Sequence, residues 1–150
     1  MHWYCDFEGY QLDGANFIVK EISILSSDGH HCFTYLIRSS KLQHVCDNAT
    51  LRYQFNRHKL HVKYGEYGFN EAMDDIYNKA AGCIIYVKGL EKTKFLRDNY
   101  FNAKELQSVP SFKNLNNCLS ECCNYPHSIY CARRTVHELK HFIDTNNITL

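Results

Sequence analysis

FIVKEISILSSDGHHCFTYLI, residues 17–37, decides how the rest of the chain is read. Two runs rich in β-branched and aromatic residues, FIVKEISIL (17–25) and HCFTYLI (31–37), flank the segment SSDGH. An Asp-Gly pair between such runs signals a hairpin, because the turn needs residues that accept positive φ. Toward the N-terminus, HWYCDFE (2–8) reads as another strand, separated from the hairpin by the turn-like GYQLDGAN. In the other direction, residues 38–68 are polar and irregular, which predicts short helices and loops. FNEAMDDIYNKAAG (69–82) predicts a helix with Asn70 as N-cap and Gly82 ending it. CIIYVK (83–88) is an apolar run of the kind buried on both faces of a parallel sheet. LEKTKFLRDNYF predicts the next helix and KELQSV (104–109) a short strand. The last helix is expected from about Ser128 to Ile143, with Ala132, Val136, Leu139 and Phe142 facing inward.

The order β-β-β-α-β-α-β-α predicts an α/β domain. A mixed sheet opens with a three-stranded antiparallel meander and is flanked by helices, the ribonuclease H-like pattern. All of residues 1–150 are expected to form this single domain. The topology brings positions 6, 8, 21 and 127–131 toward one end of the sheet.

The formal net charge is +1, so no global field draws the chain to nucleic acid, although a local basic patch is compatible with that value. MHWYCDFEGY has neither a basic start nor an apolar core and does not read as a signal peptide. No apolar run approaches the roughly 20 residues that span a bilayer. An intracellular location, in cytoplasm or nucleus, is therefore expected. In such a reducing compartment, eight cysteines beside nine histidines argue for metal more than for disulfides. Cys32, Cys46 and Cys83 are expected to be small buried hydrophobes.

Asp6 and Glu8, two apart on a strand, share a face. This D-x-E pair resembles the opening motif of the DEDD exonucleases, whose four carboxylates hold two divalent cations. Aligned on Phe95-Leu96, that family's next acid falls on Lys92 here, with Glu91 as its neighbour. The acid five residues after the family's histidine falls on Ala132, counting from His127. The resemblance thus implies a relative lacking two of the four acids, in which ordinary two-metal cleavage is not expected.

His127 and Cys131 are four apart where a helix is expected to begin, hence on one face. Glu21 would point with Phe17 and Val19, and an acid on an apolar face is costly without a partner. His58 interrupts a strand-like run. Glu21, His58, His127 and Cys131 would make a closed zinc site of four acceptable donors. His61, Cys122 and Cys123 are alternative donors.

Four segments in order resemble the Maelstrom domain, a ribonuclease H-like module of germline small-RNA silencing. VKEISILSSDG (19–29) is similar to that family's C-E-I-G-x-V segment, and NRHKL (56–60) to S-H-K-I. IIYVKGLEKTKFLRDNY (84–100) is similar to I-Y-C-K with its following helix, and PHSIYCARRTV (126–136) to H…F-C-A-L-A. The resemblance spans roughly residues 14–143. It implies that Glu21, His58, His127 and Cys131 hold a structural zinc, and that the domain binds single-stranded RNA in piRNA-type silencing of transposons, with silencing-pathway proteins as partners. In some members it also implies RNA cleavage without the lost carboxylates. Cationic side chains with aromatics are the usual means of holding single strands. Lys88, Lys92, Lys94, Arg133 and Arg134 are the expected RNA contacts, and Arg57, Lys59 and Lys63 flank His58. Eleven tyrosines and nine phenylalanines supply stacking partners.

Overall fold

The computed structural model describes residues 1–11, 17–38, 48–60, 64–107 and 131–150. Five strands, β1 (His2–Gln11), β2 (Phe17–Ser26), β3 (Cys32–Leu36), β4 (Ile84–Val87) and β5 (Ala103–Glu105), form one sheet in the order β3-β2-β1-β4-β5. β1 is antiparallel to β2, β2 antiparallel to β3, β1 parallel to β4 and β4 parallel to β5, so β2 alone runs against the others. Four helices, α1 (Asn48–His58), α2 (Phe69–Ala80), α3 (Leu90–Asp98) and α4 (Ala132–Thr145), complete the described elements. Among the described residues, no helix is long and apolar enough to cross a membrane.

Alternation along the strands makes two cores. One face sends Trp3, Cys5, Phe7, Ile22, Ile24, Ile85 and Val87 against Ala72, Met73 and Ile76 of α2 and Leu96 of α3. The other sends Tyr4, Leu25 and Tyr86 against Val136, Leu139 and Ile143 of α4. β4 contributes to both cores, as its uniformly apolar sequence predicts. Each fully buried large side chain contributes about 1.5–3 kcal/mol.

The boundaries depart from expectation in informative places. β1 runs through Gln11, into the expected turn. Its register with β2 shifts between Glu8 and Gly9: Glu8 pairs with Glu21, but Gly9 pairs with Val19. Lys20 is the extra residue of this β-bulge, and a bulge moves the following side chains to the opposite face. Phe17 and Val19 therefore join the α2/α3 core, while Glu21 faces α4, against the simple alternation expected. Buried Lys20 donates to the carbonyls of Ile37 and Tyr64, tying β2 to the residue that follows β3 and to Tyr64. α2 is capped by Gly68, with no side-chain cap bond, and Asn70 lies inside the helix rather than capping it. α4 begins at Ala132, preceded by an extended Cys131 (φ −82°, ψ 122°), so Cys131 lies before the helix and not within its first turn. His58 is the last residue of α1 and interrupts no strand.

Candidate functional site

β4 ends at Val87, which pairs with Cys5. Beyond that point Asp6 and Glu8 lie on a stretch of β1 that β4 no longer flanks. α3 starts just after β4, and Lys92 in its first turn reaches into this gap. The Lys92 Nζ lies 2.7 Å from Asp6 Oδ1 and 3.6 Å from Glu8 Oε1, and 5.4 Å from the centre of the Phe7 ring. Asp6 is fully buried and the Glu8 side chain is 12 % exposed, so this is no solvated pair at a strand end.

The charges respond to this burial. Loss of water pushes Asp6 above the usual carboxylate range against the pull of Lys92. Burial raises Glu8 to about 7, opposed by Lys92 and assisted by repulsion from Asp6. Burial works against charge on Lys92, but Asp6 and Glu8 outweigh it and hold its pKa above the ordinary lysine value. A carboxyl with a raised folded pKa binds its proton more tightly when folded. Its stabilising contribution is complete below the unfolded pKa and disappears as pH rises through the folded one. Glu8→Gln should therefore remove a decline of about 2 kcal/mol between pH 5 and pH 8, seen as the difference between the two urea-melt stability profiles. Parallel profiles would show that Glu8 does not titrate in this window.

Glu21 sits on β2 opposite Glu8 and is buried. Its Oε1 accepts the backbone N–H of Ala132 at 2.6 Å. Cys131 supplies no side-chain cap bond, so Glu21 satisfies one orphan donor of α4 from another element and places negative charge at that helix's positive end. Cys131 is fully buried beside it. The buried His58 ring packs edge-on against Tyr10 at 4.8 Å between centroids. The His58 Nδ1 accepts the Leu60 N–H at 3.0 Å, and the Tyr10 hydroxyl donates to the Leu60 carbonyl at 2.7 Å. With Nδ1 accepting, the proton of the neutral ring resides on Nε2. Glu21 thus reaches the start of α4, which buried Cys131 immediately precedes, while His58 is held from the end of α1. His127, Cys122, Cys123, Cys46, His61 and Lys63 lie outside the described residues. Among the described residues, no group of three or more His, Cys, Asp or Glu side chains is placed to hold a metal ion.

A cleft of about 690 Å³ opens beside this network, with Glu8, Arg57, His58, Lys88, Lys92 and Glu105 among its lining residues. It sits at the carboxyl ends of β1 and β4. The chain leaves β1 toward β2 on one side and β4 toward β5 on the other, and ligands bind open α/β sheets at such reversal points.

The five expected RNA contacts are spread over α3, the residues just before it and α4. Lys88 and Lys92 line the cleft. Lys94, also on α3, is exposed and paired with Asp98 at 2.6 Å. Arg133 and Arg134 belong to α4 on the other side of the sheet. There Arg133 approaches Thr34 Oγ1 at 3.4 Å, and Arg134 pairs with buried Glu138 at 2.9 Å. Glu138 escaped the sequence reading. Burial raises its pKa, countered by Arg134, and Asp6 adds repulsion across the interface. An acid within the inward stripe of α4, four residues after an arginine, was the available signal. No protein-family model matches the chain, and no curated protein matches it.

Proposed function

We propose that this chain is a ribonuclease H-like domain of the Maelstrom type that holds single-stranded RNA in the cleft beside Lys92. On this reading it does not hydrolyse RNA by a two-metal route. The strand order β3-β2-β1-β4-β5 with only β2 reversed supports the fold assignment. The carrying observation is the Lys92 ammonium 2.7 Å from Asp6, where a divalent cation would have to bind for carboxylate-assisted hydrolysis. Lys92 neutralises the acids, and with Arg57 and Lys88 it makes the cleft hospitable to phosphate. The family resemblance connects such binding to transposon silencing by small RNAs. Fluorescence anisotropy with a labelled 12-nucleotide RNA tests this. Binding should weaken with salt, and Lys88→Glu should reduce it about tenfold, the effect of reversing a phosphate contact. Magnesium-dependent shortening of the strand, abolished by Asp6→Ala, would replace this reading with a nuclease.

The same reading places a structural zinc on Glu21, His58, His127 and Cys131. What supports two of its corners is that the Glu21 carboxylate reaches the Ala132 N–H and that the preceding residue, Cys131, is buried. His58 fits through Nε2 if its proton moves to Nδ1, or through Nδ1 with the Nε2 proton kept, and in either case the Leu60 N–H must turn away from Nδ1. A zinc with four protein ligands has no open position and supplies folding free energy rather than chemistry. Elemental analysis should find one zinc per chain in the wild type and none in Cys131→Ser. Zinc retained in His58→Ala would assign that corner to another donor, and metal-free wild type would end the zinc proposal.

A further inference from the structure

The cleft does not end at Lys92. A hollow of about 230 Å³ continues from it and shares Gln11, Phe17, Glu91 and Lys92 as lining. A third, of about 390 Å³, continues from the second and shares Phe17 and Phe95. The floor of this extension is a phenylalanine cluster. Phe95 stands at its centre, with ring centroids 5.1 Å from Phe7, 6.4 Å from Phe17 and 6.2 Å from Phe69. Phe17, Phe69 and Phe95 are each only partly buried, leaving ring surface open. Cations flank the hollows: Lys94 beside the second and Arg38 beside the third, both exposed.

Apolar rings flanked by cations suit one occupant in particular. A single strand offers bases with π faces and, at each nucleotide, a phosphate. A duplex hides its faces in the stack, and an apolar peptide leaves the cations without counterparts. We infer that the groove over Phe17 and Phe95 is a base-stacking extension of the cleft, taking nucleotides of a single strand whose phosphates pass Lys94 and Arg38. The inference rests on the RNA reading of the cleft and adds to it a direction of travel and a longer footprint. The Lys94–Asp98 pair is surface-exposed and therefore weak, so a phosphate can compete for the lysine.

The test uses the full chain and three labelled probes: a 4-nucleotide oligouridylate, a 12-nucleotide oligouridylate, and a 12-nucleotide strand with eight abasic positions. The 12-mer should bind at least about tenfold more tightly than the 4-mer, and the abasic strand, which keeps only the phosphate contacts, should fall between the two, since stacking is worth a factor of this order per base. Phe95→Leu, at a ring that lines the second and third hollows and not the first cleft, removes the π face and keeps most of the apolar volume. It should cost the 12-mer about fivefold and leave the 4-mer unchanged, with a melt confirming that the variant folds. Lys94→Glu should do the same and steepen the difference at low salt. Equal affinity for the intact and abasic 12-mers overturns the stacking groove while leaving the cleft in place. Failure of every probe to bind overturns both.

Discussion

Replacing Lys92 with methionine lowers stability by about 2–4 kcal/mol at pH 8, the cost of stranding buried carboxylates without their cation. Methionine retains much of the stem that packs over Phe7, so the charge is what the substitution removes. The lower part of the range is favoured because the Lys92 side chain is 24 % exposed and water recovers part of the loss. The sign of the pH dependence follows from the acids. Their ordinary values are 3.8 and 4.5, and burial already raises both, Glu8 to about 7. Without Lys92 they rise further. Raised carboxyls stabilise the folded state fully below their unfolded pKa and lose that contribution as pH climbs through the folded pKa. The variant should therefore come closest to the wild type near pH 5 and fall furthest behind at pH 8, as urea melts at the two pH values will show. A deficit independent of pH would assign the role of Lys92 to packing. Millimolar manganese should raise the melting temperature of Lys92→Met and leave the wild type unmoved, because only the variant leaves the carboxylates open to a cation.

This lysine was singled out by the exonuclease resemblance, and its position depends on short-range geometry. The distance from the end of a parallel strand into the first turn of the next helix is set by a few residues. Aligned on Phe95-Leu96, the exonuclease resemblance expects an acid where Lys92 stands, and the structure puts its ammonium against Asp6. The SSDGH hairpin, the apolar β4 run and the stripe of α4 were legible for the same reason. The starting point of α4 was not. Nothing local forbids a helix before Ala132, and the extended backbone at Cys131 depends on what meets it, including the Glu21 carboxylate on the Ala132 N–H. Two of the counted cations also have acid partners. Lys94 and Arg134 each have an acid four residues on, Asp98 and Glu138, which the helical period exposes as partners. The face of Glu21 could not be read by alternation at all. Alternation is conserved only while the ladder is unbroken, and here a bulge lies between Val19 and Glu21.

That bulge depends on one residue, and Gly9→Ala should cost at least about 3 kcal/mol, enough to leave little folded protein in a domain of ordinary stability. An alanine Cβ at this position would lie 1.9 Å from the Ile18 carbonyl oxygen and 2.9 Å from the Lys20 nitrogen. Both are backbone atoms of the paired strand, so no rotamer change relieves the overlap, and the strands must separate or slip. A slip by one residue would reverse the faces of β2: Glu21 would turn into the α2/α3 core and leave the start of α4 without its acceptor. Damage is therefore expected at Ala132, far along the chain, as well as at Gly9. Gly82→Ala is the appropriate control. Its φ of +73° strains any side chain, but nothing lies within 4 Å of the added carbon, so its cost should be only about 1 kcal/mol. Thermal melts of the two variants separate the explanations. Equal, modest losses would mean that β1 and β2 can pair without the bulge, and the placement of Glu21 opposite Glu8 would then need another cause. A much larger loss for Gly9→Ala, with early hydrogen exchange at the Ala132 amide, would show that the close approach at one glycine fixes which side of the sheet carries the acids.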